Sequence, residues 1–255
     1  MEFFDSHAHL TLEDEYKNID EIIQNAKNAN VTKIINVCTN KTSLEEGLKL
    51  SNRYDFIYNS AATTPHDVDY ERDVFYESVE KKAKDKKIVA IGESGLDYFY
   101  GKTKKELQKK YFIDYLKLAK KHNLPLIIHC RDAFLDLFEI VDKEFINQKA
   151  VLHCFTGIEK EAMNVLDRGW YISFSGIITF KNAGDIRDIV KMVPLDKILI
   201  ETDSPLLAPQ SKRGKLNEPA NVVEVAQMMA DIKNISLDEI AKITFDNAMK
   251  FYFSK

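Results

Sequence analysis

The sequence predicts a single α/β domain with the (β/α)8 architecture of a TIM barrel. Eight short apolar runs of strand-forming residues recur along the chain, stretches with helical periodicity separate them, and 255 residues is a typical length for this fold. No linker or low-complexity segment divides the chain, so we assign residues 1–255 to one domain. An open, doubly wound sheet is the competing architecture, but no glycine-rich phosphate-binding turn follows the first run.

The predicted strands are rich in apolar and β-branched residues, and amphipathic stretches lie between them. Ser236 followed by Glu239 is a capping-box pattern, which predicts that a last helix begins there. The carboxyl ends of all strands meet at one mouth in such a barrel, so polar residues at these ends are expected to converge. The eight runs are Phe3–His7, Lys33–Thr39, Phe56–Ala62, Ile88–Glu93, Pro125–His129, Ala150–His153, Tyr171–Phe174 and Lys197–Glu201.

Composition and charge narrow the possible functions. The formal net charge of −4 gives no general attraction to nucleic acid, so binding of a polyanion would need local positive charge. No apolar run approaches the roughly 20 residues of a membrane span, and we expect no membrane association. The chain enters a strand at once, and its three cysteines lack metal-type spacing; both features favour a cytoplasmic protein with reduced thiols. Nothing in the sequence indicates an obligate protein partner.

The first strand ends in two histidines, His7 and His9, separated by one residue. Side chains alternate along a strand, so both imidazoles point to the same side. Two imidazoles placed in this way can form half of a metal site. A hydrogen-bonded surface pair is the alternative for an isolated motif of this kind.

Four more candidate metal ligands occupy the ends of later strands. Glu93 ends the fourth, His129 the fifth and His153 the sixth, and Asp203 follows the eighth. Each alone could be a buried polar residue with a hydrogen-bonding partner. Unpaired carboxylates and imidazoles are costly to bury, however, so a set at several strand ends favours a metal site at the mouth of the barrel.

Six ordered motifs extend this pattern over nearly the whole chain. They are DSHAHL at 5–10, GESGLDY at 92–98, HCRDA at 129–133, HCFTG at 153–157, ETDSP at 201–205 and RGKLNEP at 213–219. With these motifs the chain resembles the TatD family of metal-dependent nucleases in the amidohydrolase superfamily. One segment departs from the family, which usually has G-x-H-P-H after the third strand, because Thr63–His66 keeps only the final histidine.

The resemblance implies two divalent metal ions, with Mg²⁺, Zn²⁺ and Mn²⁺ all compatible with the ligand types. It assigns His7, His9 and Asp203 to the first ion and His129 and His153 to the second. Glu93 would bridge the two ions, because a carboxylate has two oxygens.

The implied reaction is hydrolysis of phosphodiester bonds in DNA. Asp203 and Glu93 are the expected catalytic residues, and Asp203 would accept the proton of the attacking water. A concave site on an acidic chain favours single-stranded DNA or strand ends, and therefore an exonuclease-like deoxyribonuclease. The alternatives are hydrolysis of another ester or amide, such as an aminoacyl ester on tRNA, and a non-catalytic barrel.

Three residues are candidates for contacts with the substrate. Arg131 follows the fifth strand and can bind phosphate oxygens, or else pair with Asp132. Arg213 belongs to a basic loop that contacts phosphate or is merely solvated, and His66 lines the pocket or has a structural role. The aromatic residues at 98–100 could stack on bases or pack the loop.

Overall fold

The structure, a computed structural model, describes residues 1–12, 15–69, 73–99 and 104–254. Its eight strands form one sheet in which each strand lies parallel to the next in chain order. The strands are β1 Phe3–Ala8, β2 Val31–Cys38, β3 Ile57–Ala61, β4 Ala90–Asp97, β5 Leu126–Arg131, β6 Ala150–Leu152, β7 Tyr171–Phe174 and β8 Ile198–Ile200. The helices are α1 Ile19–Asn28, α2 Lys41–Arg53, α3 Asp73–Lys84, α4 Lys105–His122, α5 Phe134–Glu144, α6 Glu159–Asp167, α7 Gly184–Met192, α8 Val222–Lys233 and α9 Leu237–Phe253.

The sheet closes on itself where β1 meets the segment after β8. Ala8 forms a parallel bridge with Ser204, and the His9 N–H donates to the carbonyl oxygen of Ser204 at 2.7 Å. The Asp203 N–H donates to the carbonyl oxygen of His7 at 2.9 Å. These bonds confirm the predicted (β/α)8 barrel and bring the first and last candidate ligands together.

Two apolar clusters form the core of the protein. The larger one lies between the strands and the surrounding helices. The smaller one gathers side chains near the amino ends of strands all around the barrel, including Phe4, Ile127 and Tyr171, and packs them against α9. The Tyr252 hydroxyl of α9 donates to the carbonyl oxygen of Ser6 at 2.9 Å. Because α9 closes this lower end, the opposite, carboxyl end is left as the open mouth.

The last helix begins as the sequence predicted. Ser236 accepts a hydrogen bond from the backbone N–H of Glu239, and the Glu239 side chain accepts one from the backbone N–H of Ser236. This reciprocal cap satisfies two N–H groups that a helix start leaves without intrahelical partners. Within the described ranges, we find no helix with the length and apolar character needed to cross a membrane.

Candidate metal centre

The sequence indicated that Glu93 ends β4, but the structure places this residue inside the strand. The register between β4 and β5 shifts at this point, and two glycines flank the carboxylate, with φ of 139° at Gly92 and 158° at Gly95. A β-carbon at Gly95 would overlap the backbone carbonyl of His129. Only glycine allows this close approach, so the bulged segment depends on its two glycines for the position of Glu93 at the mouth.

Strand alternation places the next two histidines inside the barrel. His129 is two residues beyond Ile127, and His153 is two residues beyond Val151. Ile127 and Val151 both belong to the interior cluster, and side chains two apart on a strand share a face. The two imidazoles therefore lie above the apolar interior, with His129 Nδ1 at 3.2 Å from His153 Nε2.

The other half of the site forms where the barrel closes. His7 Nε2 and His9 Nε2 are 3.2 Å apart. The Oδ1 atom of Asp203 lies 3.6 Å from His7 Nε2 and 3.4 Å from His9 Nε2. Asp203 has φ of 53°, a left-handed conformation that aspartate tolerates better than most residues, at the turn after β8.

One oxygen of Glu93 connects these two halves. Its Oε2 atom lies 3.1 Å from His7 Nε2 and 2.8 Å from His153 Nε2. The rings of these two histidines stack with centroids 4.0 Å apart. All six candidate ligands predicted from the sequence thus belong to one cluster, which β1, β4, β5, β6 and β8 position.

The chemistry of this cluster fits bound cations. Imidazole and carboxylate atoms converge to within 4.8 Å in several groups of three, among them His7, His9 and Glu93, and also Glu93, His129 and His153. The Nε2 atoms of His7 and His9 face each other at 3.2 Å, and Glu93 Oε2 lies 3.1 Å from the first of them. Nitrogen and oxygen lone pairs directed at a common point are what a divalent ion binds.

The electrostatics of the cluster also fit cation binding. Burial alone would raise the pKa of Glu93, but the neighbouring His153 and His7 hold this pKa well below its usual value. Burial would also raise the pKa of Asp203, and its hydrogen bond with His9 and the charge of His7 outweigh that effect. Both carboxylates therefore stay ionised and able to bind a cation.

Two further carboxylates face the cluster, and no role was predicted for them from the sequence. The Asp97 Oδ2 atom lies 2.9 Å from His129 Nε2. Glu201 is buried, accepts a hydrogen bond from the Ser173 hydroxyl at 2.5 Å, and has its Oε1 at 3.5 Å from His153 Nδ1. Both residues lie in motifs that carry the family resemblance, and those motifs were the sequence signal that could have identified them.

A cavity of about 350 Å³ opens above the six side chains. His66 and Arg131 line it, and His66 Nε2 lies 3.5 Å from Asp97 Oδ2. The Arg131 guanidinium lies 3.6 Å from the ring centroid of Phe99, whose side chain is half exposed. Tyr100, also considered for base stacking, falls outside the described residues.

Arg213 does not line this cavity. It lies in an exposed loop after β8, with its guanidinium 4.3 Å from the ring centroid of Phe180. The neighbouring Lys212 and Lys215 are exposed as well. Arg213 can therefore contact only a substrate that extends beyond the cavity.

The barrel and its histidine–carboxylate cluster define a class, the metal-dependent hydrolases built on a (β/α)8 barrel. The family model described as TatD related DNase matches residues 4–253. The chain therefore belongs to the TatD family and is a metal-dependent hydrolase, which confirms the resemblance inferred from its motifs.

Relatives and solved structures agree with this assignment. An uncharacterized metal-dependent hydrolase of Bacillus subtilis, YabD, is 39% identical over 252 residues, which cover 98% of each chain. The Escherichia coli hydrolase YcfH, described in the same terms, is 38% identical over 99% of this chain and 96% of its own. The crystal structure of the Escherichia coli TatD homolog YjjV superposes with a TM-score of 0.92 at 28% identity, covering 99% of this chain and 98% of that one.

Proposed function

We propose that this hydrolase cleaves phosphodiester bonds of DNA, acting on single strands or strand ends in an exonuclease-like manner. One observation carries the proposal: Glu93 Oε2 lies within 3.1 Å of His7 Nε2 and 2.8 Å of His153 Nε2. A carboxylate between two groups of imidazoles suits a pair of cations that act on one phosphate.

The residues divide into two sets of ligands. His7, His9 and Asp203 would hold one divalent ion, His129 and His153 the other, and Glu93 would contact both. Such ions, whether Mg²⁺, Zn²⁺ or Mn²⁺, supply Lewis-acid activation and neutralise charge that develops on phosphate oxygens.

Asp203 is the proposed general base. Its Oδ1 atom faces His7 and His9, and the residue lines the cavity, so its second oxygen can accept a proton from an attacking water. The pKa of Asp203, held low by its hydrogen bond with His9 against the effect of burial, keeps the carboxylate ready to do so.

The shape and charge of the mouth support a strand end as substrate. A cavity of about 350 Å³ has room for little more than one nucleotide, and Arg131 at its wall can bind phosphate oxygens through its planar fork. Arg213 on the outer loop would contact the strand that follows. The net charge of −4 argues against extended contact with a duplex.

The test is hydrolysis by purified protein reconstituted with each of the three metals. Single-stranded and duplex DNA labelled at either end, an aminoacyl-tRNA, and a panel of simple esters and amides are offered in parallel. Glu93→Gln, purified identically, is the control for contaminating nucleases. We expect metal-dependent release of mononucleotides from one end of single-stranded DNA; ester or aminoacyl hydrolysis with intact DNA would overturn the proposal.

A cytoplasmic location is part of the same proposal. Cys38, Cys130 and Cys154 are all free thiols, and the first two are buried. Unpaired cysteines are typical of proteins in a reducing compartment.

A further inference from the structure

The two ring nitrogens of His129 face different partners. Nδ1 lies 3.2 Å from His153 Nε2 in the candidate metal centre, and Nε2 lies 2.9 Å from the Oδ2 atom of Asp97. We propose that Asp97 is a positioning residue that fixes the tautomer of His129, with the proton on Nε2 and the Nδ1 lone pair directed at the cation site.

The direction of this hydrogen bond follows from the surroundings of Asp97. The carboxylate is almost completely buried, and its Oδ1 atom accepts a hydrogen bond from the backbone N–H of Phe99 at 3.0 Å. A carboxylate can only accept, so the bond at Oδ2 requires His129 to donate from Nε2. A neutral imidazole carries one proton, and Nδ1 is then left as an acceptor.

Asp97 is itself held in place by α4. The Asp97 N–H donates to Gln108 Oε1 at 2.9 Å, and Gln108 Nε2 donates to the Asp97 carbonyl oxygen at 3.0 Å. Gln108 is fully buried. A chain of contacts thus runs from the helix layer through Asp97 to one ligand, which limits rotation of the His129 ring.

A third cation held by His66, Asp97 and His129 is the competing interpretation, because one ligand atom from each lies within a common 4.8 Å. In that arrangement His129 would have to bind one ion through Nδ1 and another through Nε2. The ring would then have no proton left, which a neutral imidazole does not allow. A hydrogen bond between His129 Nε2 and Asp97 Oδ2 gives both atoms a partner and leaves the imidazole neutral.

The inference rests on the proposed metal centre and not on DNA as the substrate. Without Asp97, His129 is free to adopt the tautomer with Nδ1 protonated, in which that nitrogen cannot bind a cation. Loss of a carboxylate that orients a ligating histidine typically reduces metal affinity about 10–100-fold. We expect this reduction at the ion that His129 and His153 bind, with the other ion unaffected.

The experiment measures tautomer and affinity separately. Protein labelled with ¹⁵N-histidine reports by NMR which ring nitrogen of His129 is protonated, first metal-free and then with Zn²⁺. Competition with a chromophoric chelator gives the affinity for Zn²⁺. The variants are Asp97→Ala and Asp97→Asn; the latter keeps the shape and one acceptor oxygen. Asp136→Ala is the matched control, since this nearby carboxylate faces Lys109 and Tyr98 instead.

We expect wild type and Asp136→Ala to show the Nε2-protonated tautomer and the same Zn²⁺ affinity. In Asp97→Ala and Asp97→Asn, the loss of affinity should follow the fraction of the other tautomer. A wild-type ring protonated at Nδ1, or a tautomer shift without loss of affinity in either variant, would overturn the proposal. Three Zn²⁺ ions per chain, one of which is lost with Asp97, would make this residue a ligand and overturn it equally.

Discussion

At the scale of single residues, each carboxylate of the candidate metal centre lies beside imidazoles. Within the described ranges, Glu93 and Asp203 form ion pairs with histidines. A carboxylate buried beside lysine or arginine would have its charge neutralised and would bind a cation poorly. A histidine, by contrast, gives up its proton when a metal binds, and its nitrogen lone pair can then face the same ion as the carboxylate.

Asp203→Asn tests the proposed general base. Asparagine has similar size and can still offer an oxygen to a cation through its amide, but it cannot accept the proton. We expect a folded protein that binds single-stranded DNA and turns over about 10²–10⁴-fold more slowly. Asp188→Asn, an isosteric change on the exposed side of α7, should leave turnover unchanged.

Metal content must be measured on the same samples, because loss of an ion would also abolish turnover. Near-normal turnover by Asp203→Asn with full metal content would rule this residue out as the base. A protein that has lost metal would instead identify Asp203 chiefly as a ligand.

Arg213→Ala tests whether the outer loop contacts the DNA backbone. Phosphate contacts carry no sequence information, so affinity for different single strands should fall by similar factors, and the slope of log affinity against log salt should decrease by about 0.7. Lys191→Ala is the comparison, because this exposed lysine lies in the last turn of α7, away from the mouth. Equal affinities and slopes for both variants and wild type would remove Arg213 from the interface.

At the level of elements, the site differs from the sequence prediction at β4. The fourth apolar run was expected to end at Glu93, and Gly92 and Gly95 lie on either side of that residue. The structure continues the strand to Asp97 through a bulge, because those glycines allow β4 to pass close to the β5 backbone. Whether a bulge forms here depends on contacts with the neighbouring strand, and the local sequence does not reveal those contacts.

The rest of the barrel was more predictable for a physical reason. The run Tyr171–Phe174 is buried on both faces, as expected for a parallel strand covered by helices, and the structure reproduces this strand without change. His129 and His153 were predicted at strand ends, whereas β5 continues to Arg131 and β6 stops at Leu152. Both imidazoles nevertheless lie in the cluster at the mouth. Contacts between elements, such as Asp97 with His129, depend on three-dimensional proximity and stayed invisible.

Gly95→Ala tests the bulge. An added β-carbon would overlap the carbonyl oxygen of His129. In addition, Gly95 has φ of 158°, a conformation in which residues other than glycine are strained. We expect a loss of about 1–3 kcal/mol in the free energy of unfolding from strain alone, measured by urea denaturation, together with weaker metal binding. Gly184→Ala is the matched control, since open space surrounds that position and no loss is expected. Equal stability of both variants would show that β4 does not need glycine there.

For the whole molecule, the centre links strands that are far apart in sequence. Its ligands come from both ends of the chain and from β4, β5 and β6, so bound cations connect the same elements that close the barrel between His7 and Asp203. Ions bound by the folded state alone stabilise it by an amount that grows with the logarithm of their concentration relative to the dissociation constant.

Metal removal should therefore lower the thermal stability of the protein. At an ion concentration 100-fold above its dissociation constant, each bound ion adds about 2.7 kcal/mol, which for a chain of this size raises Tm by about 5–10 °C per ion over the chelated protein. The double variant His129→Ala, His153→Ala should hold one ion fewer per chain by elemental analysis, because Glu93 with His7, His9 and Asp203 still forms the other site. Its rise in Tm on adding metal should be smaller than that of wild type, since one ion fewer stabilises the folded state. Unchanged metal content in the double variant would contradict the division into two sites, and an equal rise in Tm would show that the ion at His129 and His153 does not stabilise the barrel.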